Sequence, residues 1–293
     1  MKKISNKKVI IEEYWQNIIA KSIKKALDEI LQKQSLLSEG IIPNYIRKTV
    51  KLTMDNNDGV DFSEDSYIKY KANGLTVFSI FKRTPLPDRR YDKDDDGNPF
   101  IYALKGINGW TFDVTDAEIV QYVRKFLKIC HSIDQQYDVI VMVPSKNSIN
   151  RRFMSVIYKI VGAREKIEDY FFKVKSNDVI YNLDTERIMQ DYPNDSSQDY
   201  IEKVIIKALN NMGADFEAKK FPKEFLKYVN NVVDMNNAYS YQDSIRLFRG
   251  KRVLVLDDVF STGKTISDCV RCIESFGPAK VDVITLLSRK MLE

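Results

Sequence analysis

The stretch VLVLDDVFSTGKTISDCV, residues 253–270, combines two adjacent carboxylates with a turn rich in hydroxyl groups. Asp257 and Asp258 follow an apolar run, and Ser-Thr-Gly-Lys-Thr comes next at 261–265. An apolar strand pattern that turns into a helical pattern here leaves free backbone N–H groups at a helix N-terminus, where anions bind. Gly263 lets a phosphate approach the backbone closely. These residues predict a phosphate site bordered by two acids.

The ending Gly-Lys-Thr also occurs in the Walker A loop of nucleoside triphosphatases. That loop has the spacing G-x-x-x-x-G-K-[ST], which would require a glycine at position 258. Position 258 is an aspartate, and its charge would oppose the phosphates that such a loop encloses. A P-loop nucleoside triphosphatase is therefore the less favoured alternative.

A sugar phosphate accounts for both features, because two carboxylates can accept hydrogen bonds from vicinal hydroxyls while the turn binds a phosphate. VLVLDDVFSTGKT closely resembles the signature of type I phosphoribosyltransferases, which bind phosphoribosyl pyrophosphate (PRPP). The resemblance implies that Asp257 and Asp258 hold the ribose hydroxyls. It also implies that the 5′-phosphate is bound by Ser261, Thr262, Gly263, Lys264 and Thr265.

Members of this family need a second loop for the pyrophosphate, placed after an earlier strand. DVIVMVPSKNSINRR, residues 138–152, has an apolar run, a short loop and the start of a helical pattern. By resemblance, Ser145, Lys146 and Asn147 form this loop, and Arg151 lies just beyond it. A highly charged leaving group needs cations and backbone donors, a role that falls to Lys146. An ordinary strand–loop–helix junction is the alternative interpretation.

The resemblance also implies Mg²⁺ as a cofactor that binds together with PRPP. Mg²⁺ keeps several waters and is usually bound through one or two carboxylates and substrate phosphates. We therefore predict no direct side-chain ligand, with Asp257 and Asp258 reaching the ion through water.

Strand and helix patterns alternate between residues 115 and 290. This alternation predicts an α/β fold with a doubly wound, mostly parallel sheet over 111–293. Residues 176–240 are polar, with helical patterns over 199–212 and 221–233, and we interpret them as an insertion into this core. The layout resembles the ComF-type branch of the family but lacks its N-terminal zinc ribbon.

Residues 1–110 are predicted to form an N-terminal α+β extension, either a hood over the site or a small domain. Its parts are a basic amphipathic helix over 9–31 and a β-hairpin. The two predicted hairpin strands are GLTVFSIFKRT, residues 74–84, and PFIYALKGI, residues 99–107. The polar segment between them reads as a long loop.

The composition disfavours several classes of site. His131 is the only histidine in the chain, which disfavours Ser-His-Asp hydrolases and multi-histidine metal sites. Cys269 and Cys272 have CxxC spacing, but they share one face of a helical pattern with apolar residues, so packing is a better interpretation than metal or redox chemistry.

No apolar run reaches the roughly 18 residues that a membrane span needs. The N-terminus is basic, but Glu12 and Glu13 interrupt the apolar stretch that follows too early for a signal peptide. We therefore predict a cytoplasmic protein without membrane contact.

Charge is concentrated at one end of the chain. Residues 1–51 carry 11 Lys and Arg against 5 Asp and Glu, while the whole chain has a formal net charge of +5. Such a segment suits nucleic acid, although a solvated lysine face on a helix is the simpler interpretation.

These features predict an enzyme of nucleotide metabolism that transfers phosphoribose from PRPP to a nitrogenous acceptor and releases pyrophosphate. The alternative is a catalytically silent module that senses PRPP and has a regulatory or nucleic-acid-interacting role. The family resemblance also makes a homodimer an expectation.

Overall fold

The computed structural model describes residues 48–51, 60–61, 67–83, 99–105, 110–113, 116–133, 135–145 and 148–289. In chain order the strands and α-helices are β1 (Lys48–Lys51), β2 (Val60–Asp61), β3 (Ile68–Ala72), β4 (Leu75–Arg83), α1 (Pro99–Lys105), β5 (Trp110–Asp113), α2 (Asp116–His131), β6 (Val139–Met142), α3 (Ser148–Ile160), β7 (Glu165–Ile167), β8 (Phe171–Lys173), α4 (Thr185–Asp191), α5 (Asp195–Asn210), β9 (Val233–Met235), α6 (Tyr241–Phe248), β10 (Arg252–Phe260), α7 (Lys264–Glu274) and β11 (Lys280–Arg289). Short 3₁₀ helices occupy Ser176–Asn182, Ala218–Lys220 and Lys223–Tyr228.

The chain divides into two compact units. The first includes Ile80–Ile133, and within it β1 pairs in parallel with β5. The second consists of Ile68–Ser79 and Asp134–Arg289. Every predicted site residue that the structure describes belongs to this second unit.

The second unit is built on a mostly parallel sheet with the strand order β3-β4-β11-β10-β6-β7. The pairs β11–β10, β10–β6 and β6–β7 are parallel, whereas β3 and β4 form an antiparallel hairpin. The last residues of β4 belong to the first unit, where they pair with β2. The predicted α/β fold with a mostly parallel sheet is confirmed.

Both faces of the central strands are buried, which explains their continuous apolar sequences. β6 is VIVM and all four side chains are buried; in β10 the run Val253–Leu256 is buried as well. β6 connects through α3 to β7 on one side, and β10 connects through α7 to β11 on the other. Because parallel crossovers are right-handed, connections in opposite directions place α3 and α7 on opposite faces of the sheet.

The segment 176–240 packs against the core of the second unit and contains regular secondary structure. Its α5 covers most of the predicted helix at 199–212, whereas the predicted helix at 221–233 is a short 3₁₀ helix followed by β9. β9 pairs antiparallel with β8 in a separate two-stranded sheet. Phe216 and Tyr228 are buried in the same apolar cluster as the central strands.

Of the two strands predicted for the hairpin, the first is confirmed as β4 and the second, at 99–107, is wrong. The segment PFIYALK forms α1, with Pro99 at the first helical position, where its missing N–H costs no hydrogen bond. The hairpin partner of β4 is β3, joined to it by Asn73 and Gly74, whose φ angles of 51° and 78° fit a type I′ turn.

The helix at 9–31 and most of the basic segment 1–51 lie outside the described residues. The division into an extension over 1–110 and a core over 111–293 therefore stays a prediction. None of the helices that the structure describes is long and apolar enough to cross a membrane.

Candidate functional site

The two predicted loops follow neighbouring strands at the same edge of the sheet. Leu256 of β10 is in register with Met142 of β6, and the N–H of Val143 donates to the Leu256 carbonyl at 2.9 Å. The connections from β6 and β10 leave in opposite directions, so this position is a topological switch point. In open α/β sheets, ligands bind in the crevice outside the carboxyl ends of the strands at such a point.

The two acids lie at the end of β10. Asp258 is 6 % exposed, and Asp257 is half-buried. One oxygen of Asp257, Oδ1, accepts a hydrogen bond from Asn150 Nδ2 at 3.0 Å and another from the Asp258 N–H at 2.8 Å. The Asp257 carboxylate is therefore held in a defined orientation by two donors.

The turn after β10 depends on a glycine. Gly263 is the N-cap of α7 and has φ 74°, a left-handed conformation that side chains rarely adopt. A Cβ at this position would lie 2.6 Å from Cζ of Phe260 and 2.8 Å from Nδ2 of Asn73. Asn73 also lies 3.4 Å from the Thr262 carbonyl oxygen, to which it donates, so the β3–β4 turn supports this loop.

The loop presents groups that suit an anion. The first N–H groups of α7 have no partner within the helix, and the positive end of the helix dipole lies behind them. Ser261 is exposed, and Thr262 and Thr265 are half-buried. These amides and hydroxyls can bind a phosphate whose sugar lies towards the two acids.

Lys264 belongs to the predicted phosphate loop, but its ammonium group is directed elsewhere. Its Nζ donates to Asp268 Oδ1 and to the carbonyl of Asn230, both at 3.1 Å. The lysine of a Walker A loop has to reach the β- and γ-phosphates. The position of Lys264 therefore argues further against a P-loop nucleoside triphosphatase.

Asp268 connects α7 to the segment that precedes β9. Its Oδ2 accepts from the Val232 N–H at 2.9 Å, and its Oδ1 also accepts from Arg271 at 2.8 Å. Arg271 donates in addition to the Asn230 carbonyl and to Asn231 Oδ1. Burial raises the pKa of Asp268, while Lys264 acts in the opposite direction. This cluster, centred on the buried Asp268, anchors the end of the insertion beside the phosphate loop.

The structure describes the predicted pyrophosphate loop only in part. Ser145 is half-buried directly after β6, as predicted. Lys146 and Asn147 lie outside the described residues. Arg151 is exposed in the first turn of α3, and its Nε lies 3.4 Å from Glu168 Oε2.

The cysteines are packed on the inner face of α7. Cys269 is fully buried and Cys272 is half-buried, and burial raises the pKa of both thiols. Within the described part of the chain, no group of three or more His, Cys, Asp or Glu side chains could hold a metal ion.

Two residues beside the site were not predicted from the sequence, although each has a sequence signal. Asn150 shares a helical face with the buried Phe153, Met154 and Ile157, where a polar residue is unexpected. Asn73 precedes a glycine between two strand-like runs, which is a strong hairpin signal.

Comparison with known families bears on the second of the two loops. Residues 216–292 match the family model described as "Phosphoribosyl transferase domain". This part of the chain is similar to the phosphoribosyltransferase domains of the type I superfamily. No curated protein matches the chain.

The matched phosphoribosyltransferase region covers about a quarter of the chain. It includes β10, the acidic pair, the phosphate loop and α7, so the resemblance on which Asp257–Thr265 were assigned is confirmed at the level of the family. The match does not reach β6 or Ser145, and the assignment of the pyrophosphate loop stays a prediction. The same holds for the ComF-type resemblance, the nucleic-acid contact and the homodimer.

Proposed function

We propose that the protein transfers a phosphoribosyl group from PRPP to a nitrogenous acceptor and releases pyrophosphate. One observation carries this proposal: the acidic pair and the phosphate loop lie at a switch point, next to the loop that follows β6. A substrate with a phosphate at one end and a leaving group at the other fits between two such loops.

Substrate binding follows from the chemistry of each part. The backbone N–H groups and hydroxyls of 261–265 would bind the 5′-phosphate. Asp257 and Asp258 would accept hydrogen bonds from the two ribose hydroxyls. A carboxylate accepts such bonds more strongly than a neutral group does, so the pair also fixes the orientation of the ring.

In the reaction, the bond between C1 and the pyrophosphate oxygen breaks while a bond from C1 to the acceptor nitrogen forms. The electron pair of the broken bond leaves with pyrophosphate, and the acceptor nitrogen loses its proton. Positive charge develops on the ribose, where the carboxylates of Asp257 and Asp258 would stabilise it. Lys146 and Arg151 would offset the negative charge on the departing group.

The residues at the site fit Mg²⁺ bound mainly by substrate and water. Asp257 and Asp258 are adjacent carboxylates at a strand end, and a cage of three or more side-chain ligands is not found among the described residues. One or two carboxylates with substrate phosphates is the usual arrangement for this ion. When bound, Mg²⁺ would neutralise charge on the pyrophosphate.

The test is binding of PRPP with and without Mg²⁺, followed by measurement of pyrophosphate release with a panel of purine and pyrimidine bases. We expect PRPP to raise the melting temperature and ATP not to do so. Asp257→Asn and Asp258→Asn should each weaken PRPP binding by about 10- to 100-fold, because each removes a charged acceptor.

Asp199→Asn is the matched control, because Asp199 is exposed on α5. Stabilisation by ATP but not by PRPP would overturn the proposal in favour of a triphosphatase. Binding of PRPP without pyrophosphate release for any base in the panel would favour the PRPP-sensing alternative.

A further inference from the structure

Asn150 is a fully buried polar side chain on the face of α3 that packs against the sheet. Its relative exposure is 0 %, and its neighbours on this face, Phe153, Met154 and Ile157, are apolar. An asparagine is a poor choice for such a position, because it lowers helix propensity and must satisfy a buried amide. A packing role alone would be better served by an apolar side chain of similar size.

Among the residues that the structure describes, the amide of Asn150 has a hydrogen-bond partner at one end only. Nδ2 donates to Asp257 Oδ1 at 3.0 Å. An ionised carboxylate can only accept, so the NH₂ group, and not the carbonyl oxygen, must face Asp257. The carbonyl oxygen Oδ1 of Asn150 is buried and finds no donor among the residues that the structure describes. A buried acceptor without a donor destabilises the fold, and the hydrogen bond from Asn150 to Asp257 has to offset this free-energy cost.

The donor of this hydrogen bond lies on α3, whereas the two acids lie on β10. The N–H of Asp258, which also donates to the Asp257 carboxylate, belongs to β10 itself. Asn150 lies on α3, directly after the loop that follows β6. The bond therefore links the helix behind one loop to the acid that precedes the other.

We infer that Asn150 is a positioning residue for substrate binding: its amide sets the orientation of the Asp257 carboxylate towards the ribose hydroxyls of PRPP. This inference rests on the proposed function, because it assigns the hydroxyl-accepting role to Asp257. Asn150 need not touch the substrate. It fixes which oxygen of Asp257 is directed to the protein and which way the carboxylate plane faces.

The experiment compares single and double substitutions at 150 and 257. Asn150→Asp keeps the shape of the side chain but places a second carboxylate 3.0 Å from Asp257, where the original donor was. Asn150→Ala removes the donor without adding charge. We expect PRPP binding to weaken by about 10-fold for Asn150→Ala and more for Asn150→Asp.

The double variant Asn150→Asp with Asp257→Asn tests whether the two side chains form a pair. It restores one amide–carboxylate bond with the two roles exchanged, so its melting temperature should return towards that of the wild type. PRPP binding should not return, because the carboxylate now lies on α3 instead of β10. Because Asp257→Asn alone should already weaken PRPP binding, the melting temperature of the double variant tests the pairing, and the PRPP affinity of folded Asn150→Ala tests the positioning role. A melting temperature that stayed at the level of the single variants would contradict the bond between the two side chains.

Inorganic pyrophosphate is the ligand control, since it has no ribose hydroxyls. Asn236→Asp is the matched variant, because Asn236 is a half-buried asparagine whose Nδ2 also donates a hydrogen bond, in its case to a backbone carbonyl. Unchanged PRPP affinity in folded Asn150→Ala would overturn the inference while leaving the proposed function intact. Failure of the wild-type protein to bind PRPP would instead overturn the proposed function. An equal loss of PRPP and pyrophosphate binding would also contradict a role that acts through the ribose.

Discussion

Lys264 lies one helical turn before Asp268 on α7, and its ammonium group donates to the Asp268 carboxylate at 3.1 Å. The side chain of Asp268 is 2 % exposed and that of Lys264 is 17 % exposed, so this ion pair is well shielded from water. Lys264 lies in a phosphate-binding signature, yet its charge is paired with a carboxylate of the protein itself.

Substitution of Lys264 should therefore affect stability more than ligand binding. We expect Lys264→Met to lower the free energy of unfolding by about 1–3 kcal/mol, since Asp268 loses a charged donor in a buried position. PRPP affinity should change by less than about 3-fold, a difference below 1 kcal/mol. Urea denaturation and titration with PRPP measure the two effects. The control is Lys203→Met, at an exposed position of α5. A large loss of PRPP affinity in Lys264→Met without a loss of stability would show that Lys264 binds the phosphate.

Gly263 should tolerate no side chain. Gly263→Ala puts a Cβ 2.6 Å from the Phe260 ring and forces a residue with a side chain to adopt φ 74°. We expect a loss of about 1–3 kcal/mol in stability and a loss of PRPP binding by more than about 10-fold, because the loop must move.

The matched control is Gly213→Ala. A Cβ at Gly213 meets no atom within 4 Å, and the backbone there is not left-handed. This variant should match the wild type in both measurements. If both alanine variants behaved alike, the shape of the turn at 263 would not be critical for binding.

Arg151 should be available for pyrophosphate despite its salt bridge with Glu168. The side chains are 66 % and 33 % exposed, and exposed pairs of this kind contribute about 0–1 kcal/mol. We expect Arg151→Ala to weaken pyrophosphate binding by about 10-fold and Glu168→Gln to leave it unchanged or slightly tighter, with little change in stability for either. Calorimetric titration with pyrophosphate measures this. Equal affinity of Arg151→Ala and the wild type would remove Arg151 from the site.

Asp191 should make the stability of the insertion depend on acid pH. It accepts hydrogen bonds from Lys227 and from the Tyr228 hydroxyl, and these hold the pKa of Asp191 below its ordinary value of 3.8. A lowered pKa in the folded state means that this contribution is present above pH 3.8 and is lost as the pH falls below it.

Asp191→Asn should therefore be less stable than the wild type at about pH 7, and the difference should shrink at about pH 3. Urea denaturation at several pH values measures the difference, with Asp199→Asn as the control for removal of an exposed acid. A stability difference that stayed constant from neutral to acid pH would contradict the role of the Asp191 charge.

Much of the sheet could be predicted because its strands have an unambiguous pattern. β6 and β10 are short, continuous apolar runs, which are typical of strands buried on both faces, and α2, α3 and α7 have clear helical spacing. The phosphate loop could be predicted for a local reason as well. Its residues are contiguous, and the free N–H groups of a helix N-terminus follow from the backbone alone.

The errors and omissions concern contacts between distant parts of the chain. PFIYALK contains aromatic and β-branched residues, so local propensity did not separate a strand from the helix α1 that it forms. The direction of the Lys264 ammonium depends on where Asn230 lies in the tertiary structure. Asn150 could be recognised as a polar residue on an apolar face, but its partner Asp257 could not be identified without the packing of α3 against β10.

The strand order has a consequence for how the protein folds. β10 and β11 come last among the described strands in the sequence, yet they lie between β4 and β6 in the sheet. The earlier strands cannot complete the sheet until the later ones insert between them, and such long-range pairing slows folding because loop closure precedes the stabilising contacts. Asn73 and Thr262 of the phosphate loop, which are 189 residues apart in the sequence, can meet only after that insertion. We therefore expect the phosphate site to be assembled late in folding. A fragment limited to the matched family region would lack β6 and the hairpin that complete the site.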